Sequence, residues 1–190
     1  MFGSKKDKGY SLPTDPSKEL SFNRKLLLSL LSVFSIVFIV NHVFFIEYEI
    51  SGRSMEDTLH NGDIVKVNTL NKTPKHDDII VFKHHSDVYI KRVVGLQGDK
   101  VEVTEGNVYV NGKEHSHEDS YLESDHKLEG YDNMRYFTTC MLSDSCEVPK
   151  DKYFVLGDNR EKSKDSRHIG YVDSEDIIGT VYKSTKNKLK

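Results

Sequence analysis

The feature that most constrains this chain is a run of 21 residues, 26–46, that contains no Asp, Glu, Lys or Arg. Its sequence is LLLSLLSVFSIVFIVNHVFFI. With an α-helical rise of about 1.5 Å per residue, a run of this length spans roughly 30 Å, the thickness of the hydrocarbon core of a bilayer. The run has no polar face, which disfavours burial as a core helix of a globular domain. We therefore predict a transmembrane segment at residues 26–46.

A cleaved secretory signal peptide is the alternative interpretation of this run. Its apolar stretch is longer than the usual hydrophobic region of such a peptide. The residues that follow are Glu47, Tyr48 and Glu49, which do not form the small-x-small pattern of a cleavage site. The sequence therefore favours an uncleaved signal anchor.

Charge differs between the two sides of this segment. Residues 1–25 contain six basic and three acidic residues, which gives them a net charge of +3. Since the whole chain has a formal net charge of -3 and the apolar run has none, residues 47–190 carry -6. Positively charged flanks remain in the cytoplasm, so we predict a basic cytoplasmic tail at 1–25 and an extracytoplasmic domain at 47–190, in a cell membrane crossed once. The acidic balance of that domain disfavours nucleic acid as a partner.

Short segments rich in β-branched and aromatic residues indicate that the outer domain is mostly β. Sequences typical of turns separate these segments, and no amphipathic helix is predicted after residue 47. Residues 113–147 are polar, acidic and poor in alternation, so we predict an excursion between two strands. The six predicted strands are 64–67, 79–82, 89–94, 101–103, 108–110 and 153–156.

The two cysteines of the chain, Cys140 and Cys146, lie in this excursion. On the oxidising side of a membrane, a disulfide that closes the small loop between them is the leading interpretation. Two free, partly buried thiols are the alternative. A zinc site that includes His115 and His117 would lack the paired spacing of structural zinc motifs, and we predict no metal.

Residues whose side chains could take part in catalysis are concentrated in three segments. They are SGRSMEDTL at 51–59, YIKRVVGLQGD at 89–99 and GDNREKSKDSRHIG at 157–170. Taken singly, the first is compatible with a strand-to-turn crossing, the second with a buried strand and the third with a charged surface loop. None of them alone predicts an enzyme.

The second segment contains a lysine in an unusual position. On a strand, Tyr89, Lys91 and Val93 point to the same face, so the lysine has apolar neighbours. An ordinary lysine has a pKa near ~10.4, and loss of water favours its neutral amine. A neutral amine can accept the proton of a serine hydroxyl. From this segment alone, a lysine whose ammonium reaches water remains the alternative.

Together and in this order, the three segments resemble the motifs of type I signal peptidases, which are membrane-bound serine proteases with a Ser/Lys dyad. The family motifs read roughly Ser-Gly-x-Ser-Met-x-Pro-Thr-Leu, Lys-Arg-Val-x-Gly-x-Pro-Gly-Asp and Gly-Asp-Asn-Arg-x-x-Ser-x-Asp-Ser-Arg-x-x-Gly. The resemblance extends from residue 26 to about residue 182. It implies a catalytic domain of antiparallel β-sheets on a single N-terminal transmembrane helix.

The resemblance also implies an activity: an endopeptidase that removes N-terminal signal peptides from exported preproteins through an acyl-enzyme. Cleavage would follow small-x-small sites, the substrate would be held in the lipid bilayer, and no cofactor would be required. Two alternatives are a specialised peptidase for a small substrate set, such as pilus or surface proteins, and a non-catalytic family member that acts as a chaperone. The presence of both Ser54 and Lys91 argues against the chaperone.

The residue roles follow from the same resemblance. Ser54 matches the nucleophile and Lys91 its general base. Met55 would lie beside the substrate groove, and Ser163 would orient the lysine amine through a hydrogen bond. Some members have a serine that donates to the oxyanion where this chain has Gly52, so backbone N–H groups would form the oxyanion hole here. A charged network that supports the site would comprise Asp158, Arg160, Asp165 and Arg167.

Two residues depart from the family pattern. Asp57 and Gln97 each stand where the family usually has proline. The loss of a proline increases the entropy of the unfolded chain, and we expect a cost below ~1 kcal/mol at each position. Asp57 would also add negative charge near the groove, which favours substrates with basic residues beyond the cleavage point.

Overall fold

The computed structural model describes residues 16–56, 58–105, 107–115 and 136–185. The chain divides into two compact units, Met1–Val43 and Phe44–Lys190. Asp57, His117, most of the predicted excursion and residues 1–15 of the predicted cytoplasmic tail lie outside the described residues.

Two α-helices and eleven strands are found in the described part of the chain, with short 3-10 helices at Thr139–Met141 and Ser174–Asp176. The helices are α1 (Pro16–Phe44) and α2 (Ser166–Ile169). The strands are β1 (Phe45–Glu49), β2 (Ile64–Asn68), β3 (Ile79–His84), β4 (Asp87–Gly95), β5 (Val101–Thr104), β6 (Asn107–Val110), β7 (Lys113–Glu114), β8 (Tyr136–Thr138), β9 (Lys152–Leu156), β10 (Val172–Asp173) and β11 (Ile177–Thr185).

Helix α1 contains most of the predicted transmembrane run. Its window Asn23–Val40 has a mean hydropathy of 1.8 and is long and apolar enough to cross a membrane. The helix ends at Phe44 instead of Ile46, because Phe45 and Ile46 pair with strand β2 in an antiparallel ladder. Hydropathy alone cannot distinguish an apolar helix from an apolar strand, which is why the predicted run continues past the end of the helix.

The unit Phe44–Lys190 is built from two antiparallel sheets, which confirms the predicted mostly-β fold class. The larger sheet has seven strands in the order β1-β2-β11-β3-β4-β9-β10. The smaller sheet has four strands in the order β7-β6-β5-β8. All six predicted strands are found, each extended by one or two residues at one or both ends.

Strand β11 was not predicted, although it lies inside the large sheet between β2 and β3. Its first residues are apolar, but its last three are the exposed Lys183, Ser184 and Thr185. The register shifts once against β2 and once against β3, at Val181/Lys183 and at Ile177/Gly179. Such irregularities bend a sheet and increase its twist.

The core consists of three clusters of buried apolar side chains. One cluster packs the small sheet against the end of the large one and includes Val103, Phe137 and Phe154. The other two contain alternating residues of the same strands: Val81 of β3 belongs to one, and Ile80 and Phe82 belong to the other. Because side chains alternate along a strand, these two clusters cover opposite faces of the large sheet.

Cys140 and Cys146 are joined by a disulfide in the loop that follows β8. Thr139, at the start of this loop, is buried, and its hydroxyl donates to the Cys146 carbonyl and accepts from the Val101 N–H at 3.2 Å. The bond uses both sulfur atoms, so neither free thiols nor cysteine ligands for zinc are present in this structure. His115, the other described residue of the zinc alternative, lies 2.9 Å from the Asp77 carboxylate.

Candidate active site

The loop between β1 and β2, residues 50–63, carries Ser54, the predicted nucleophile, and is called the nucleophile loop below. Its base is closed by backbone hydrogen bonds from Ile50 N to Asp63 O and from Gly62 N to Ile50 O, both at 2.8 Å. Gly52 has a φ of 101°, a conformation that L side chains rarely adopt, and its N–H donates to Asn61 Oδ1 at 2.9 Å. The loop is therefore held in one conformation at its entry.

Strand β4 brings Lys91 to Ser54. Its Nζ lies 2.8 Å from Ser54 Oγ and 2.9 Å from the Ile90 carbonyl oxygen. Only 3% of Lys91 is exposed, and the Tyr89 ring centroid lies 5.7 Å from its Nζ. The two residues assigned to the dyad, 37 positions apart in the chain, are thus in hydrogen-bond contact.

Burial makes this amine a usable base. Loss of water lowers the pKa of Lys91 to about 8, against an opposing effect from the negative charges of Asp165 and Asp158. A base whose pKa lies near the working pH combines a substantial neutral fraction with a strong tendency to accept a proton.

The turn after β9 fixes the backbone of Ser54. The Asn159 N–H donates to the Ser54 carbonyl at 3.1 Å. Gly157 packs so closely that a Cβ there would lie 2.5 Å from the Ser54 carbonyl oxygen and would also overlap the Ser163 side chain. Only glycine fits without movement, so this turn and the nucleophile loop depend on each other for their positions.

Arg92, which follows Lys91 on β4, forms a buried ion pair with Asp158. The Arg92 guanidinium contacts both carboxylate oxygens, at 2.8 and 2.6 Å, and also donates to the Asp77 carbonyl. Thr58 donates to the same carboxylate at 2.6 Å. Both members of the ion pair are at most 5% exposed in their side chains, and this geometry joins the nucleophile loop, β4 and the turn after β9.

A second buried ion pair lies at the start of α2. Arg167 contacts both carboxylate oxygens of Asp165 at 2.8 Å and donates to the Arg160 carbonyl at 2.6 Å. Asp165 also accepts from the Gly157 N–H at 3.1 Å. Burial favours the protonated carboxyl, but the Arg167 charge and these hydrogen bonds outweigh it and lower the pKa of Asp165.

Ser163 and Arg160, two further predicted site residues, are both buried. The Ser163 hydroxyl makes no hydrogen bond to Lys91, and it acts instead on Asp165, where it helps to lower the pKa of the carboxyl. Arg160 lies within the predicted charged network, since Asp165 and Asp158 act on its pKa and its carbonyl accepts from Arg167, although its Nε and Nη1 atoms make no hydrogen bond within the described residues. Burial lowers the pKa of Arg160 to about 10.

The dyad opens into a groove with a volume of about 330 Å³. Met55 lines it as expected, while also packing in the core at 2% exposure. The lining comprises Tyr48, Glu49, Ile50, Ser51, Gly52, Arg53, Ser54, Met55, Val88, Tyr89, Ile90, Lys91, Lys162 and Lys164. Among residues 16–56, 58–105, 107–115 and 136–185, no group of three or more His, Cys, Asp or Glu residues could hold a metal ion.

Sequence reasoning missed several residues that position the dyad. Arg92, Thr58, Gly157 and Asn159 all lie within the three segments, but no role was predicted for them. Strand alternation could have indicated Arg92, because a charged residue on the face opposite Lys91 of a buried strand requires a partner. The position of Gly157 directly after a buried strand could have indicated a close approach of its backbone to another segment.

Several known proteins are similar to this chain. Residues 23–184 match the family model "Signal peptidase, peptidase S26". Signal peptidase IB of Staphylococcus aureus (strain Mu50 / ATCC 700699) is 40% identical over 167 residues, covering 82% of this chain and 85% of its own. Signal peptidase I P of Bacillus subtilis subsp. natto is 38% identical over 150 residues, covering 76% of this chain and 78% of its own.

A crystal structure of a signal peptidase I from Enterococcus faecalis V583 is 34% identical, with a TM-score of 0.49, and the match covers 58% of this chain and 98% of that one. The family model and the relatives identify the class of protein as a serine peptidase, a hydrolase. The chain belongs to the signal peptidase family, peptidase S26. The resemblance found in the sequence is thereby confirmed, and the apolar helix α1 is consistent with membrane anchoring.

The contact of Gly157 with the nucleophile loop leads to the first prediction. In Gly157→Ala, the new methyl group must displace the Ser54 carbonyl or the Ser163 side chain. Because a misplacement of 1 Å can cost about 10²-fold in rate, we expect kcat to fall by about that factor. The measurement is kcat for a peptide with a signal-peptide cleavage site, with the folded fraction determined by circular dichroism.

Gly179→Ala is the matched control. A Cβ at Gly179 would overlap the backbone of Asn68, outside the groove, so this variant should lose stability while its folded fraction retains kcat. If Gly157→Ala lost no more turnover than Gly179→Ala, close packing at Gly157 would not be what positions Ser54.

Proposed function

We propose that this chain cleaves signal peptides from exported preproteins with Ser54 as the nucleophile and Lys91 as the general base. The observation that carries the proposal is the 2.8 Å contact between Lys91 Nζ and Ser54 Oγ at a site where the lysine is almost fully buried. Family membership supports the removal of signal peptides as the reaction and exported preproteins as the substrates.

The acylation half of the reaction transfers one proton through the lysine. The neutral Lys91 amine takes the proton of the Ser54 hydroxyl while the serine oxygen attacks the carbonyl carbon of the scissile bond. The tetrahedral intermediate collapses as the new ammonium gives that proton to the leaving amine. The mature protein departs, and the signal peptide remains as an ester on Ser54.

Deacylation uses the same groups. The Lys91 amine, neutral again, takes a proton from a water molecule that attacks the ester carbonyl. As the second tetrahedral intermediate collapses, the Lys91 ammonium returns the proton to Ser54 Oγ, and the signal peptide is released with a new C-terminal carboxyl group, which ionises in water. Lys91 has then exchanged two protons and ends unchanged.

Backbone N–H groups would stabilise the negative oxygen in both steps. The Gly52 N–H is engaged by Asn61, whereas none of the hydrogen bonds formed by the described residues uses the Ser54 N–H. The Ser54 amide is therefore the supported donor, and Gly52 contributes by leaving space for the substrate backbone.

Open strand edges support the binding of an extended substrate. Strand β1 is at the end of the large sheet, and β9 pairs with β4 only from Arg92 onward, which leaves the first half of β4 unpaired on that side. Both edges line the groove. A substrate segment can add main-chain hydrogen bonds to such edges, and the limited volume of the groove supports cleavage after small-x-small sites.

We also propose that residues 1–25 are cytoplasmic and that the unit from residue 47 onward is outside the cell membrane. The charge difference across α1 supports this orientation. Protease added to cells without a wall should digest the unit from residue 47 onward, and complete protection of that unit in the same wall-less cells would contradict the orientation.

The dyad predicts a specific pattern of inactive variants. Lys91→Met retains much of the packing of the side chain but removes the proton acceptor, so turnover should fall by roughly 10²–10⁴-fold. Ser54→Ala should be similarly inactive, and the double variant scarcely worse, because the two residues act as one unit. Cleavage of an Ala-x-Ala precursor by detergent-solubilised variants measures this effect.

Lys83→Met is the control, since it removes an exposed lysine from the neighbouring strand β3, outside the groove. It should cleave as fast as the natural chain. Near-normal turnover by folded Lys91→Met would end the Ser/Lys mechanism even if Ser54 proved essential.

The lowered pKa of Lys91 predicts how activity depends on pH. The neutral amine is the active form, so kcat/KM should rise with pH and level off above about pH 8. Below that value the neutral fraction, and with it kcat/KM, should fall about tenfold for each pH unit. Initial rates between pH 6 and pH 10, with folding checked at each pH, test this. A rate that still rose through pH 10 would show that burial does not lower this pKa.

A further inference from the structure

The groove contains more positive than negative charge, although the outer domain as a whole is acidic. Its described lining includes four cationic side chains and a single carboxylate, that of Glu49. Arg53 is paired with Glu56 at 2.9 Å, and Lys91 is the base of the dyad. The two remaining cations, Lys162 and Lys164, have no part in the mechanism.

Of these two, Lys164 is the more exposed. It is exposed and makes no ion pair within the part of the chain that the structure describes. The carboxylate next to it in sequence, Asp165, is buried and bound to Arg167.

The nearest titratable groups do not cancel this charge. Burial and then the positive charges of His85 and Lys164 lower the pKa of His84, against Asp176 and Asp87. Burial also lowers the pKa of His168, against Asp165. Both imidazoles are therefore neutral at the pH where the dyad works.

The backbone around Lys164 is fixed relative to the nucleophile. On one side, the Lys162 N–H donates to the carbonyl and the side-chain oxygen of Asn159, whose own N–H donates to the Ser54 carbonyl. On the other side, Asp165 accepts from the Gly157 N–H and from the Arg167 N–H at the start of α2. These hydrogen bonds hold the backbone on both sides of Lys164 in a fixed position relative to Ser54, the residue that would attack the scissile bond.

We propose that Lys164, with Lys162 beside it, forms a cationic subsite that selects preproteins with an Asp or Glu side chain near the cleaved bond. The inference rests on the proposed function and specifies its substrates. A peptide carboxylate is the favoured occupant, because the lysine lines the same groove as Ser54 and Lys91 and a peptide bound there passes within its reach. This selection is opposite to the preference for basic residues expected from Asp57, which lies outside the described residues.

The test compares paired substrates within one enzyme. Neutral Ala-x-Ala peptides receive Asp or the isosteric Asn at the second position before the scissile bond and at each of the first three positions after it, so that both alanines are kept. The full chain in detergent cleaves each peptide, and the ratio of kcat/KM for Asp over Asn is taken at each position. A substitution at Lys164 could also change the pKa of Lys91 and so the rate. Both peptides of a pair are cleaved by the same variant at the same pH, so such a change affects both rates equally and does not alter their ratio.

We expect the natural chain to favour Asp by about two- to fivefold at one or two adjacent positions, the range for exposed ion pairs. High salt should reduce the preference toward unity, because it screens the charges. Lys164→Gln should remove the preference, and Lys164→Glu should reverse it in favour of a Lys-containing peptide over its Gln counterpart. Lys113→Glu, in β7 outside the groove, makes the same charge change and should retain the preference for Asp.

The remaining outcomes distinguish the two levels of the proposal. Efficient cleavage of neutral peptides with an Asp/Asn ratio of one at every position would overturn the subsite and leave the proposed function intact. No cleavage of any peptide by the folded natural chain would overturn both. If the ratio were one, and vesicles containing phosphatidylglycerol stimulated the natural chain but not Lys164→Glu, Lys164 would bind lipid headgroups and the subsite would be overturned.

Discussion

The contact between the Lys91 amine and the Ser54 hydroxyl depends on a lysine that is buried beside two carboxylates. Left alone, Asp158 and Asp165 would hold the amine in its charged form, which cannot act as a base. Each carboxylate instead binds its own arginine in a two-point contact, Asp158 with Arg92 and Asp165 with Arg167. Burial outweighs the effect of the two carboxylates on Lys91 and sets the direction of its pKa shift.

The same ion pairs connect separate parts of the chain. Breaking a buried pair leaves an uncompensated charge and typically costs 3–5 kcal/mol, so the elements that carry these residues are held together strongly. Arg92 belongs to β4 and Asp158 to the turn after β9, and Thr58 brings in the nucleophile loop through the same carboxylate. The site therefore forms only when the strands around it are paired, and no single loop of the chain could fold it alone.

Sequence reasoning predicted six strands rich in β-branched and aromatic residues but missed β11, which lies inside the large sheet. Strand β11 ends in Lys183, Ser184 and Thr185, and only its two ladders identify it as a strand. The dyad could be predicted from the order of the motifs, because the family pattern names residues that are far apart in sequence. The partners of Asp158 and the close approach of Gly157 depend on tertiary distances, which no local pattern encodes. For the same reason, a hydrogen bond from Ser163 to Lys91 was expected but is not formed in the structure.

Two strand edges in the groove, that of β1 and that of the first half of β4, have no partner strand within the described part of the large sheet. Any extended chain can pair with such an edge, including the edge of a second copy of the same protein. In β1 the exposed side chain of Glu49 carries negative charge along the open edge, while Glu47 is paired with Lys66 of β2 at 3.5 Å, and Asp87 carries negative charge at the start of β4. Two copies that approached through the same edge would place like charges against each other, whereas a segment without such charges would not be repelled. These like charges oppose pairing of two copies through the open edges.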